Sequence, residues 1–251
     1  MKGLQKKIIP LSILIILIAT LILWNPSPRP FKYNKNEKEI LFENFNYENT
    51  SQLKENWEIE GIALKDKEIN GESNYFSSIS HQLNDLNLKN GTINTYLKFR
   101  AKKTYEGRII IHLYAKDNKT KIENPSISVI ISPANEVEKR NSAIYFDEGY
   151  QMPIKNMVFL DSAKLNLFEK YEKYEKFKIE TKIEEDNLKL KLFYWNNYYW
   201  ENIPPLNDKE KYFKIKIDKY LNNNTALKKI KIMMARNQSN IKIVSITQVI
   251  E

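Results

Sequence analysis

The sequence predicts an all-β protein, a two-layer antiparallel β-sandwich of ten or more strands with Greek-key or jelly-roll connections, on three observations. Apolar and polar residues alternate with a period of two along segment after segment, as strands with one buried face require. Asn, Asp and Gly fill the gaps between those segments, and these are the residues that turns select. Hydrophobic residues make up 42% of the chain and aromatics 12%, enough to fill a core alongside 28% charged residues. Of the 251 residues, roughly 220 follow the amino-terminal segment, a length at which sandwiches form one domain.

The first element is apolar throughout. Lys2, Lys6 and Lys7 precede an uncharged run from Ile8 to Trp24, seventeen residues long. That is short for a membrane-spanning helix and long for a signal-peptide core. No small-x-small cleavage site follows, and Trp24 stands where an aromatic anchors a span at the interface. The reading is an uncleaved signal anchor, one transmembrane helix over residues 8–24, with a cleaved signal peptide as the alternative. Residues 1–30 then comprise a cytoplasmic amino terminus, the anchor and a stalk stiffened by Pro26, Pro28 and Pro30. The basic cluster before the span puts the body, residues 38–251, outside the cell membrane.

In the body, "GTINTYLKFR" sets Ile93, Thr95, Leu97 and Phe99 against Asn94, Tyr96, Lys98 and Arg100, and "SISVIIS" repeats the alternation at Ile127, Val129 and Ile131. "GRIIIHLYA" is apolar on both sides from Ile109 to Ala115, the pattern of a strand covered on both faces or central to its sheet. Only "SAKLNLFEKYEKYEKF", residues 162–177, carries a helical period, through Leu165, Phe168 and Tyr171 or Tyr174, and it runs into a strand. Next come two strands joined by a polar turn from Glu184 to Asn187. Their inward face is Phe177, Ile179, Ile183, Leu188, Leu190, Leu192 and Tyr194. "YFKIKID", "KKIKIMMA" and "IKIVSITQVI" close the chain as three more strands.

The order of these segments resembles the concanavalin A-like lectin/glucanase superfamily, the laminin-G-like jelly rolls, over residues 40–251. "LFENFNYENTSQLKENWEIEGIALKDKEINGE" is similar to the opening of such domains, with Phe45 in an acidic setting, Trp57, Gly61, and Gly71 after a short hairpin. "KYEKFKIETKIEEDNLKLKLFYWNNYYWEN" is similar to the family's central strand pair, ending in Trp200, and the last segment looks like the strand that returns beside the first. The resemblance implies a jelly roll. Its members include glycan-binding modules, glycoside hydrolases and domains that hold proteins together, so function rests on the site.

Composition excludes several chemistries. With no cysteine there is no disulfide, thiolate metal site or lipid-modified cysteine. The formal charge of +9 falls to +6 once the three leader lysines are removed, and Lys alternates with Glu along nearly every segment, which argues against nucleic acid as a partner. Hydrolases of this fold need facing carboxylates from an alternating E-x-D-x-E strand. Here Glu184, Glu185 and Asp186 are consecutive in a turn, and Asp147 and Glu148 adjoin, so no catalytic residue is assigned. His112 lies in an apolar strand and reads as a hydrogen-bonded structural residue; no partner marks it or His81 as a base. No cofactor is implied, and calcium, which such sandwiches can hold, finds no EF-hand-like spacing. Sequons at Asn49, Asn90, Asn118, Asn223 and Asn237 are compatible with an exported body.

One stretch breaks the alternation. In "FYWNNYYWEN" the polar face turns aromatic at Phe193 and Trp195, and Tyr198, Tyr199 and Trp200 follow. Sugars stack their C–H faces on flat aromatics while amides and acids take the hydroxyls, so Trp195, Tyr198, Tyr199 and Trp200 are the candidate ligand-binding residues. The competing reading covers Phe193 and Trp195 with the 160–175 segment and uses Trp200 to close the core. The functional expectation is a non-catalytic carbohydrate-binding module at the cell surface. Alternatives are an envelope scaffold or protein-interaction domain, and a glycoside hydrolase with carboxylates from separate strands.

Overall fold

The computed structural model describes residues 30–72, 76–102, 108–116, 127–132, 143–147, 158–160, 173–185, 187–206, 211–216, 226–235 and 238–249. The chain divides into two compact units, Met1–Lys35 and Asn36–Glu251. The expected anchor, residues 8–24, lies outside the described residues, as does the helical pattern over residues 162–172. Among the described residues no helix is long and apolar enough to cross a membrane.

The second unit is built of β1 (Glu37–Glu43), α1 (Thr50–Asn56), β2 (Glu58–Glu60), β3 (Ile62–Lys65), β4 (Glu68–Gly71), β5 (Phe76–Asn87), β6 (Thr92–Ala101), β7 (Ile109–Lys116), β8 (Ile127–Ser132), β9 (Ala143–Asp147), β10 (Val158–Phe159), β11 (Glu175–Glu184), β12 (Asn187–Trp195), β13 (Trp200–Ile203), β14 (Phe213–Lys216), β15 (Ala226–Ala235) and β16 (Ser239–Val249). They form two antiparallel sheets. The larger runs β13-β12-β11-β6-β16-β4-β3, with β1 also on β16 and β14 also on β12; the other runs β10-β9-β8-β7-β15-β5-β2. The closing strand does return beside the first, Phe42 facing Ser245 across β1 and β16.

Alternation places the core. Ile93, Leu97 and Phe99 of β6, Phe177 and Ile179 of β11, and Leu188, Leu190 and Leu192 of β12 turn inward to meet Ile109, Ile111 and Leu113 of β7, Val129 of β8 and Ile230, Ile232 and Met234 of β15. β7 is central to its sheet, between β8 and β15, and its outer side chains Ile110 and His112 are buried too, which accounts for its doubly apolar sequence. The β11–β12 hairpin turns where expected, Glu184 facing Asn187 with Glu185 at φ 55°. The β3–β4 hairpin takes φ 54° and 59° at Asp66 and Lys67, the two left-handed residues that match a tight turn to strand twist.

Alternation gave no warning of α1. Asn49 caps it, its Oδ1 accepting from the Gln52 backbone N–H at 3.1 Å, and Leu53 is fully buried beneath it. Barely two turns anchored by one leucine are too short to leave a helical period. Beside it, Glu43 fastens the entry to the sandwich. Its Oε1 accepts from the Phe45 N–H at 2.6 Å and its Oε2 from Tyr47 Oη at 2.6 Å and Trp57 Nε1 at 3.1 Å. These contacts hold Phe45 at φ 54° with its ring against Trp57, centroids 5.7 Å apart.

Candidate functional site

The outer face of the larger sheet, opposite the core, carries the aromatic cluster. On β12 the core takes Leu192 and half-buries Tyr194, so strand geometry turns Phe193 and Trp195 outward. Trp195 faces Trp200 across the β12–β13 pair, and the two rings meet edge-on at 5.3 Å. Trp200 also lies 5.5 Å from the ring of Tyr96, which belongs to β6, three strands away along the sheet. Three strand spacings on a flat sheet amount to roughly 14 Å. The rings therefore lean together over the strands between them. Both indoles are partly exposed, while Tyr96 beneath them is buried.

The hairpin that joins β12 to β13 is fastened by Asn196. Its Oδ1 accepts from the backbone N–H groups of Tyr198 and Tyr199, each at 3.1 Å, and its Nδ2 donates to Glu201 Oε2 at 3.2 Å. Asn197 takes φ 82°, a conformation asparagine tolerates better than most residues. This local geometry pushes both tyrosines into solvent, with Tyr198 79% and Tyr199 59% exposed. The structure thus brings the four sequence-derived residues to one hairpin. Trp195 and Trp200 are on the sheet face and Tyr198 and Tyr199 at its tip.

Polar groups surround the aromatics. Lys178 is buried under the face, its Nζ 3.9 Å from the Phe193 ring centroid and 3.5 Å from Glu180 Oε2. Burial pulls its pKa below the ordinary lysine value, and the Glu180 carboxylate partly offsets the shift. Tyr96 Oη donates to Glu37 Oε2 at 2.7 Å. Toward β4, buried Glu68 accepts from Arg100 Nη2 at 3.0 Å and from Tyr174 Oη, with Lys242 Nζ at 3.5 Å. The Tyr174 ring sits among three cations, Lys98, Arg100 and Lys242, at 5.3, 5.2 and 5.0 Å from its centroid. On the core side of the same hairpin, Tyr194 Oη donates to Glu175 Oε2 at 2.8 Å. Burial and then that carboxylate push the phenol's pKa up.

Sequence reading found the indoles but not Tyr96, Glu68, Arg100 or Tyr174. Alternation places Tyr96 and Arg100 on the outward face of β6, and an aromatic on a polar face is the available signal. Glu68 comes from a hairpin remote in sequence, which alternation cannot bring to the same place.

No family model matches the chain, and no curated protein matches it. Among solved structures, the Emp47p carbohydrate recognition domain superposes with a TM-score of 0.51 at 12% identity, covering 88% of this chain and 100% of that one. The CBM2 module of Lactobacillus casei BL23 phage J-1 evolved Dit gives 0.51 at 8% identity, over 86% and 97%. The fold is a concanavalin A-like jelly roll.

Within this jelly roll the other acids and histidines named from sequence fall away from the aromatic face. Glu184 and Glu185 lie at the exposed β11–β12 turn, and Asp147 ends β9 opposite Ser128 in the second sheet. Asp186 and Glu148 are outside the described residues. His81 Nδ1 is 2.9 Å from the Asn56 carbonyl, and its ring packs on Trp57. His112 is buried on the outer side of β7, with Nδ1 2.7 Å from Ser128 Oγ. Among the described residues no three His, Asp or Glu gather in a way that could hold a metal ion.

Proposed function

We propose that this jelly roll is a non-catalytic carbohydrate-binding module, held at the outer surface of a cell membrane by its amino-terminal residues. The observation that carries the reading is the Trp195–Trp200 pair on the outer face, with Tyr198 and Tyr199 exposed beside it. Partly exposed flat rings offer the C–H faces of a sugar a stacking surface, and the polar groups of the same face offer partners to hydroxyls. The solved structures of like fold add support, since one is a carbohydrate recognition domain and the other a CBM2 module. The outer-face acids Glu68 and Glu180 are each tied to cations, an arrangement suited to holding polar groups in place and not to delivering protons.

A glycan array probed with the parent chain and with W195A and W200A tests the binding. The parent is expected to retain at least one glycan class, and each variant to weaken that binding about tenfold or more while its circular dichroism is unchanged. No glycan retained by the parent overturns the reading. The anchorage rests on the apolar run over residues 8–24 and the basic residues before it. Protease added to intact cells is expected to digest the body; a protected body overturns the orientation.

A further inference from the structure

The row across the sheet that holds the two indoles continues into cations. Trp200 of β13 faces Trp195 of β12; next across is Lys176 of β11, which faces Lys98 of β6. Lys176 Nζ stands 5.7 Å from the Trp195 ring centroid, so charge and stacking surface are contiguous. Lys242 lies on the far side of Lys98, on β16, and both approach the Tyr174 ring.

These cations are not equivalent. Arg100 and Lys242 share Glu68, and Lys178 has Glu180. Lys98 and Lys176 are half-buried, and among the described residues no carboxylate lies within ion-pair distance of either. Two ammonium groups on facing residues, partly removed from water and lacking a close counter-charge, repel one another at a cost the fold must carry. Burial lowers the pKa of both lysines, Lys176 and Lys242 lower that of Lys98 further, and the more distant Glu68 carboxylate offsets only part of that shift. A pair so incompletely compensated beside a binding surface is relieved when a ligand supplies the negative charge.

We propose that the outer face takes an anionic glycan, whose carboxylate, sulfate or phosphate seats against Lys98 and Lys176 while an adjoining sugar ring stacks on Trp195. The inference rests on the carbohydrate-binding reading and narrows its substrate class. It also explains why the aromatic row ends in lysines when neutral sugars would need only amides and hydroxyls there.

The test measures binding of the full chain to dextran, dextran sulfate, polygalacturonate and a phosphorylated mannan, for the parent, W195A and the double variant K98Q/K176Q. The parent is expected to bind at least one charged polymer about tenfold or more tighter than dextran, and the polymer bound best identifies the anion. K98Q/K176Q is expected to lose that advantage and flatten its salt dependence. Its melting temperature should hold or rise, because a repulsive pair has been removed. W195A is expected to weaken the same binding. Equal affinity for dextran and the charged polymers, unchanged in K98Q/K176Q, overturns the anionic preference and leaves carbohydrate binding intact. Charged-polymer binding that W195A leaves untouched overturns the coupling of charge to stacking, and no binding to any polymer removes the underlying reading as well.

Discussion

Replacing Glu43 by glutamine is expected to destabilise the protein by about 3 kcal/mol. Its buried carboxylate accepts three hydrogen bonds, from the Phe45 N–H, Tyr47 Oη and Trp57 Nε1. An amide of the same shape has one oxygen to offer where the carboxylate offered two, and its NH2 group then points at a donor. At least one of the donors that fix the left-handed backbone at Phe45 and the rings of Tyr47 and Trp57 goes unpaired. For a chain of this size the loss corresponds to a fall in melting temperature of roughly 6–12 °C. A second readout is specific to the contact. The Tyr47 phenol, pushed up to about 12 by burial and by Glu43, should titrate closer to its ordinary value in E43Q. A melting temperature unchanged in E43Q would contradict this account of the sandwich entry.

His112 makes stability depend on pH. Burial, and then the charge of Lys231, pushes its pKa down to about 4 from an ordinary 6.5. The ring is held neutral between Ser128 Oγ and Met233 Sδ, the latter 3.0 Å from Nε2. Above the unfolded value neither state binds the proton, and the fold keeps its full stability. As pH falls below 6.5 the unfolded chain takes up a proton that the folded chain refuses, so stability drops until the folded value is reached. The loss across that window is about 3 kcal/mol. Chemical denaturation at pH 7 and at pH 4.5 should show H112L losing less stability than the parent on acidification, even where its stability at neutral pH differs. Identical losses would remove His112 as the cause. Carboxylates add their own acid sensitivity, which the comparison between parent and variant cancels.

The sandwich was legible because a period of two assigns a side to each residue: Ile93, Leu97, Phe99, Leu188, Leu190 and Leu192 all went where alternation sent them. What alternation cannot supply is the neighbour across the sheet. Lys98 and Lys176 read as two members of a solvated face, and only the β6–β11 register makes them a facing pair. In the same way, nothing local places Trp200 against Tyr96. The segment expected to cover Phe193 and Trp195, residues 160–175, lies largely outside the described residues. Trp195 and Trp200 do pack, against each other and over Tyr96, yet both keep exposed surface, and the tip tyrosines keep most of theirs. Glu184 and Glu185 went to the expected turn and His112 to a hydrogen-bonded place in its apolar strand, but spacing says nothing about which sheet a residue joins.

The most direct measurement is the indole N–H nuclear magnetic resonance spectrum of the full chain during titration with a glycan retained on the array. Trp57, buried in the core and hydrogen-bonded to Glu43, serves as the internal reference. If the outer face is the binding surface, the Trp195 and Trp200 signals shift with saturating glycan while that of Trp57 stays in place. Saturated binding that leaves both of those signals unmoved would contradict the account.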